Sequence, residues 1–240
     1  MTALSDQTVL ITGAAQALGA AIARHFAKAG ANLILLDHNP EGLARTAAEC
    51  GTRPRTIQID LSDATATQTA IALALDGIDH VNTLIHNAAI LDPKPFGDMS
   101  LTDFRRTLDV GLQAGFQLAR AVWPGMAAAG TGTIIFVSSR SGIEGFVDET
   151  AYCAAKHGLE GLSKCLAMEG EPLGIISATI TPGMYMHTPM SERTYGPDLR
   201  AKWVEPNVLA PAFAKIATRT NTEFNGRRLD AWQLVQGHHK

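Results

Sequence analysis

The chain predicts an α/β fold: one domain over residues 1–240, built as a doubly wound parallel sheet with helices on both faces. Three observations predict it. Short β-branched runs alternate with segments of helical periodicity along the whole length. Most strand-like runs carry apolar residues at successive positions rather than alternating, as strands covered on both faces do. And 240 residues, 46 % hydrophobic and 18 % charged, suffice to bury the core such a sheet needs.

The elements follow in order. QTVLIT (7–12) reads as the first strand, and ALGAAIARHFAKAG (17–30) follows with helical spacing, stopping at Gly30 in a C-cap-like place. NLILLD (32–37) is a strand and a helix starts near Pro40. RTIQID (55–60) is the next strand, and Ser62 and Asp63 open a helix after it. VNTLIHNAA (81–89), a long helix from Ser100, and GTIIFVSS (132–139) continue the alternation. The helix carrying Tyr152 leads to GIISATIT (174–181); a loop, a helix from about Pro206, and RRLDAWQL (227–234) close the chain. Right-handed crossovers between parallel strands then give the double winding. No linker, repeat or low-complexity tract interrupts it, and the terminal GHHK reads as a tail rather than a metal site.

The bulk properties exclude several classes. Net charge is −3 and no basic stripe appears, which argues against nucleic acid as a partner. The longest apolar runs, LILL (33–36) and TIIFV (133–137), fall far short of the roughly 20 residues of a membrane span. The N-terminus has no basic region or cleavage-like site, so no signal peptide is expected. Cysteines stand at 50, 153 and 165 without a CxxC pair. That reads as a reduced, cytoplasmic protein with neither a disulfide frame nor a metal centre.

LITGAAQALGAA places a T-G-x-x-x-A-x-G turn between the first strand and its helix, Thr12 to Gly19. Backbone amides and the positive end of the helix dipole then face a pyrophosphate. Gly13 permits the tight turn and Gly19 the close helix–strand approach; Ala17 stands where a middle glycine is usual. Asp37 ends the second strand about 20 residues on, where a carboxylate accepts hydrogen bonds from the adenosine ribose hydroxyls and repels a 2′-phosphate. Asp37 also fits a helix-capping role before HNPEG, and both roles are compatible. With no Arg or Lys flanking Asp37, NAD is favoured over NADP; His38 is the one residue that blurs this choice.

In ETAYCAAKHGLEGL (149–162), Tyr152 and Lys156 are four apart and share a helix face. Five segments, TGAAQALG, HNAA (86–89), VSS (137–139), YCAAK (152–156) and TPG (181–183), occur in the order and spacing of the short-chain dehydrogenases/reductases. The sequence resembles that family from Thr8 to about residue 230. The resemblance implies a Rossmann fold and an oxidoreductase. It would transfer hydride between NAD(H) and a secondary alcohol or ketone, with Ser139, Tyr152 and Lys156 as the catalytic residues. Tyr152 would be the acid/base, its phenol made acidic by the Lys156 ammonium and the positive nicotinamide. Ser139 would hold the substrate oxygen, while strand alternation points Ser138 elsewhere. Cofactor contacts implied by the resemblance are Gln16 and Leu18 at the diphosphate and Asp60 and Leu61 at the adenine. Asn87 and Ala88 would lie under the ribose, Pro182 and Gly183 along the nicotinamide, and Tyr185 and Thr188 near its carboxamide. Lys156 would also bond the nicotinamide ribose.

The sequence departs from the family pattern at four places. HNAA replaces N-N-A-G; Ala17 replaces a glycine; Gly111, in DVGLQAG, replaces an Asn that helps hold a water on the lysine; and one extra residue separates Gly183 from Thr188. Gly111 also weakens its helix by about 1 kcal/mol relative to Ala. These departures leave open a second class of function, a dinucleotide-binding protein with little turnover acting as sensor or scaffold. Expected substrate walls are Ile90, Leu91, Ile143, Glu144, Phe146 and the loop from Met184 to Trp203, with Glu144 the lone charge among them. Stripes at Phe104, Leu108, Leu112, Phe116 and Trp123, and at Ala154, Ala155, Gly158, Gly161 and Cys165, match the helices that form a homodimer or homotetramer in the family. The missing C-terminal V-D-G-G puts the tetramer in question.

Overall fold

The computed structural model describes residues 3–218 and 222–237. Its strands form one parallel sheet in the order β3-β2-β1-β4-β5-β6-β7. They are β1 (Thr8–Thr12), β2 (Asn32–Asp37), β3 (Arg55–Gln58), β4 (Thr83–His86), β5 (Gly132–Val137), β6 (Ile175–Thr181) and β7 (Arg228–Asp230). The helices are α1 (Ala17–Lys28), α2 (Pro40–Glu49), α3 (Ala64–Leu75), α4 (Leu101–Leu108), α5 (Ala114–Ala129), α6 (Thr150–Gly170), α7 (Pro189–Thr194), α8 (Pro206–Ala217) and α9 (Ala231–Gln236). The predicted alternation and double winding are present. The GHHK tail beyond Gly237 lies outside the described residues.

Each strand supplies both faces of the sheet. Val9, Ile11, Leu33 and Leu35 turn to one side and meet Phe26 of α1 and Phe213 of α8. Leu10, Ile34, Leu84 and Phe136 turn to the other and meet Ile71 of α3, Leu118 of α5 and Leu159 of α6. This two-sided burial is why the central strands carry apolar residues at successive positions, whereas β3 at the sheet edge is largely exposed. Each such side chain contributes roughly 1.5–3 kcal/mol relative to exposure. No helix among the described residues is long and apolar enough to cross a membrane.

Several elements differ in extent from the sequence expectation. The fourth strand ends at His86 rather than 89, because the Asn87 and Ala88 amides turn to the Thr12 hydroxyl instead of a neighbouring strand. Asp63 alone caps α3, accepting from the Thr65 and Ala66 amides, while the Ser62 amide is held by Asp60. The long helix from Ser100 starts with a capping box between Ser100 and Asp103, then opens into a π turn at Asp109–Gln113 before α5. The two small-residue stripes divide. Ala155 and Gly158 pack inside the chain against Gly111 and Leu112, whereas Phe116, Gly161 and Cys165 stay exposed.

The strand order reverses between β1 and β4, the place where a doubly wound sheet leaves a crevice at its carboxyl end. Thr12, His86 and Asn87 stand at that point.

Candidate active site

The turn after β1 builds the first wall of the crevice. Gly13 adopts φ +65, and a Cβ on Gly19 would sit 2.0 Å from the Gly13 carbonyl oxygen. Both positions therefore require glycine. Asn87 Nδ2 donates to the Thr12 and Gly13 carbonyls at 3.2 and 3.1 Å, strapping the turn to the end of β4. Helix α1 begins at this turn without a side-chain cap on its first amides, unlike α2, α3 and α4. Unpaired amides at a helix start, next to Gln16 and Leu18 in the cleft wall, suit an anionic group such as a diphosphate.

Ala17 lies in the left-handed region at φ +49, where the family has glycine. That conformation costs an alanine about 1–2 kcal/mol. Glycine would remove the strain but lose about 0.4–1 kcal/mol through the greater freedom of its unfolded chain. Ala17→Gly is therefore expected to raise Tm by about 1–4 °C in thermal denaturation. A lower Tm would show that the alanine methyl packs well enough to outweigh its strain.

Asp37 closes the far end of the crevice. Its Oδ2 accepts from the Ala15 amide at 3.0 Å, and its Oδ1 accepts from the Asn39 amide at 2.9 Å. His38 Nδ1 lies 3.1 Å from the same Oδ1. The helix-capping role belongs to Asn39, which accepts from Gly42, so Asp37 shapes the glycine turn instead of capping α2. Asp60 lies nearby, its carboxylate held below the usual range mainly by the Ser62 amide.

Ser139, Tyr152 and Lys156 converge at the opposite end. Ser138 donates to the Glu160 carboxylate and so is turned away, as strand alternation predicted. Ser139 Oγ accepts from the Ser141 amide at 3.2 Å. Lys156, fully buried, donates to the Val137 carbonyl at 2.6 Å, and its Nζ lies 5.4 Å from the Tyr152 ring centroid. Burial lowers the Lys156 ammonium to about 8, opposed by Glu160 one turn on. The protein groups around Tyr152, taken without the positive nicotinamide that the expectation also invoked, disfavour its ionisation. Enclosure of its hydroxyl end pushes it well above the ordinary tyrosine range, with Tyr195 and Glu149 adding to the rise and Ser139 alone pulling it down. Desolvation outweighs the Ser139 hydrogen bond in this protein environment.

One cleft of about 850 Å³ joins these ends. Its walls include Gly13, Gln16, Leu18, Asp37, Asp60, Leu61, Asn87, Ala88, Ser139, Tyr152, Lys156, Pro182, Gly183, Tyr185 and Thr188. Gly19, grouped with them by sequence, lies behind the turn and acts through packing. Thr188 reaches the cleft wall despite the extra residue before it, and its hydroxyl caps α7 by accepting from the Ser191 amide.

On the substrate side, Ile90, Leu91, Ile143, Phe146, Met184, Met186 and Met190 line the cleft as expected. Glu144 does not: it turns outward and pairs with Arg140 at 2.7 Å, one helical turn away in sequence. Trp203 is likewise absent from the walls and stacks on His187 instead. Glu149 does line the cleft beside Tyr152, and it accepts from Ser141 Oγ at 2.9 Å. Its position three residues before Tyr152 was the available signal. Sequence reasoning also missed Glu160 and Arg228. Arg228 donates to Glu160 at 3.2 Å and to the Ser139 carbonyl at 3.0 Å, bracing the strand end that carries the serine.

Comparison with known proteins agrees with this fold. The family model described as short chain dehydrogenase matches residues 7–197. The oxidoreductase UcpA of Escherichia coli K12 is 38 % identical over 195 residues, covering 80 % of this chain and 74 % of the relative. A D-threitol dehydrogenase of Mycolicibacterium smegmatis is 34 % identical over 182 residues, covering 75 % and 70 %. Among solved structures, one described as a proposed NAD(P)-dependent gluconate 5-dehydrogenase of Beutenbergia cavernae, with NADP bound at low occupancy, superposes with a TM-score of 0.87. It is 28 % identical, covering 96 % of this chain and 97 % of that one. The chain belongs to the short-chain dehydrogenase family.

Proposed function

We propose that the protein is an NAD-dependent dehydrogenase/reductase acting on a secondary alcohol or its ketone. One observation carries this reading: Ser139, Tyr152 and Lys156 meet at one end of a cleft whose other end is Asp37 and the glycine turn. A bound nicotinamide dinucleotide would supply the hydride acceptor or donor and a positive charge beside the phenol. Gly13, Gln16 and Leu18 would hold its diphosphate, Asp37 its adenosine ribose, and Asp60 and Leu61 its adenine. Asn87 and Ala88 would pass below that ribose. Pro182, Gly183, Tyr185 and Thr188 would border the nicotinamide end.

The chain's own groups then divide the work. Ser139 holds the substrate oxygen. Tyr152 takes the hydroxyl proton during oxidation and returns it during reduction. Lys156 keeps a positive charge against the phenolate and also bonds the nicotinamide ribose. Because the protein alone raises the Tyr152 pKa, ionisation in this reading awaits the cofactor's charge, which ties proton abstraction to the loaded state. The exposed Phe116, Gly161 and Cys165 support pairing of α5 and α6 with a second copy of the chain.

NADH formation with a panel of polyols and secondary alcohols, and its consumption with ketones, tests the activity. Binding of NAD without turnover on any member would instead favour the sensor or scaffold reading. Asp37→Asn tests cofactor choice. It removes the charge that repels a 2′-phosphate and is expected to lower the NAD/NADP ratio of kcat/KM at least about tenfold. An unchanged ratio would remove Asp37 from that role.

A further inference from the structure

Position 111 lacks a side chain, yet the backbone there is already held by another residue. The Gly111 carbonyl, within the π turn, lies 3.2 Å from His86 Nε2. The other ring nitrogen, Nδ1, lies 2.9 Å from Thr12 Oγ1. The surroundings decide which nitrogen carries the proton. Thr12 Oγ1 accepts from the Asn87 and Ala88 amides, both at 3.1 Å, which uses its two lone pairs. Its single hydrogen therefore goes to Nδ1, and Nε2–H donates to Gly111. The ring is buried and neutral: desolvation, with Lys156 as the second influence, lowers it to about 4.

The neighbours are shaped to this ring. A Cβ on Gly115 would lie 2.9 Å from His86 Cδ2, and Phe136 meets the ring edge-on with centroids 6.3 Å apart. Across the turn, a Cβ on Gly111 would lie 3.1 Å from the Ala155 Cβ. The missing side chain thus lets the turn sit close against α6, at the residue preceding Lys156.

We propose that His86 is a positioning residue for Tyr152 and Lys156, tying the Gly111 carbonyl to the end of β1 in place of the side chain absent at position 111. The inference rests on the dehydrogenase reading above. The bridge fixes the depth of the π turn against Ala155, and so the seat of the Lys156 ammonium on the Val137 carbonyl. Burial is what depresses that ammonium, so a shift of the turn that admitted water beside it would raise it.

Two variants and isotope-labelled protein test this. His86→Gln keeps an oxygen to accept from Thr12 and an N–H to donate to Gly111; His86→Leu keeps bulk alone. In histidine-labelled protein, NMR is expected to show one imidazole in the Nε2–H form that stays neutral at pH 6 and disappears from the spectrum of H86Q. An Nδ1–H or charged ring at 86 overturns the bridge. In lysine-labelled protein, the Lys156 pKa is expected to rise in H86L and return toward the parent value in H86Q. In turnover assays H86L is expected to lower kcat about tenfold with NAD affinity nearly unchanged, and H86Q to recover most of the loss. Equal values for H86L and H86Q, in kcat or in the lysine titration, would overturn the proposal. If the parent protein turns over no substrate, the dehydrogenase reading fails, while the imidazole and lysine titrations still decide the bridge.

Discussion

Tyr152→Phe removes one oxygen and is expected to lower kcat/KM at least roughly 10³-fold, within the range for a positioned acid/base. NAD affinity should change little, because the ring remains in the cleft wall. The protein should also stay folded. The hydroxyl end is enclosed, and that burial, with Tyr195 and Glu149, disfavours its ionisation, so the fold loses a neutral phenol and not a charge. Steady-state kinetics together with NAD titration and thermal denaturation would check all three statements. Retention of more than about a tenth of the activity would move the proton-transfer role elsewhere.

Lys156→Met is expected to cost roughly 10²–10³-fold in turnover while leaving the fold at least as stable as before. The opposition follows from the burial of the ammonium. Its pKa falls from 10.5 to about 8 in the folded protein. At 1.36 kcal/mol for each pH unit, the charged lysine costs the native state about 3 kcal/mol at neutral pH. A lowered lysine destabilises below its folded pKa, and that cost fades as pH rises from about 8 toward 10.5, where the folded protein sheds the proton first. Methionine fills similar space without the charge, although it leaves the Val137 carbonyl without its donor. The parent enzyme should lose its alcohol-oxidation rate as pH rises past about 8, and the variant should lack that limb. Kinetics from pH 6 to 10 beside denaturant melts would show it. A variant with parental turnover and an unaltered pH profile would dismiss the lysine's electrostatic role.

Much of the site was legible because it depends on local chemistry. The glycine turn, the carboxylate ending β2 and the Tyr–Lys pair on one helix each follow from spacing within a single element or turn. The double winding was legible for a related reason: apolar residues at successive positions of 9–11 and 33–36 have to be covered on both sides. What escaped depends on partners distant in sequence. Glu160 and Arg228 are 68 positions apart and meet because α6 packs Glu160 on Thr179 of β6, whose parallel partner in β7 is Arg228. Glu144 was the obvious charge by proximity, but a loop turn aims it at Arg140, while Glu149 faces inward at the start of α6. Gly111 read as a weak point in a helix. The π turn around it, and the imidazole that holds it, arise from contacts among β1, β4 and α6 that no periodicity records.

Arg228 has a further consequence for how the molecule is completed. Residues 1–60 contain the turn and both carboxylates proposed to hold the adenosine half of the cofactor, but the guanidinium that grips the Ser139 carbonyl comes from the last strand of the sheet. A chain still emerging from the ribosome, or one clipped ahead of residue 228, would keep the nucleotide-facing residues and lack the clasp on the serine. Synthesis thus supplies the clasp on the serine only after every nucleotide-facing residue of the first half has been made.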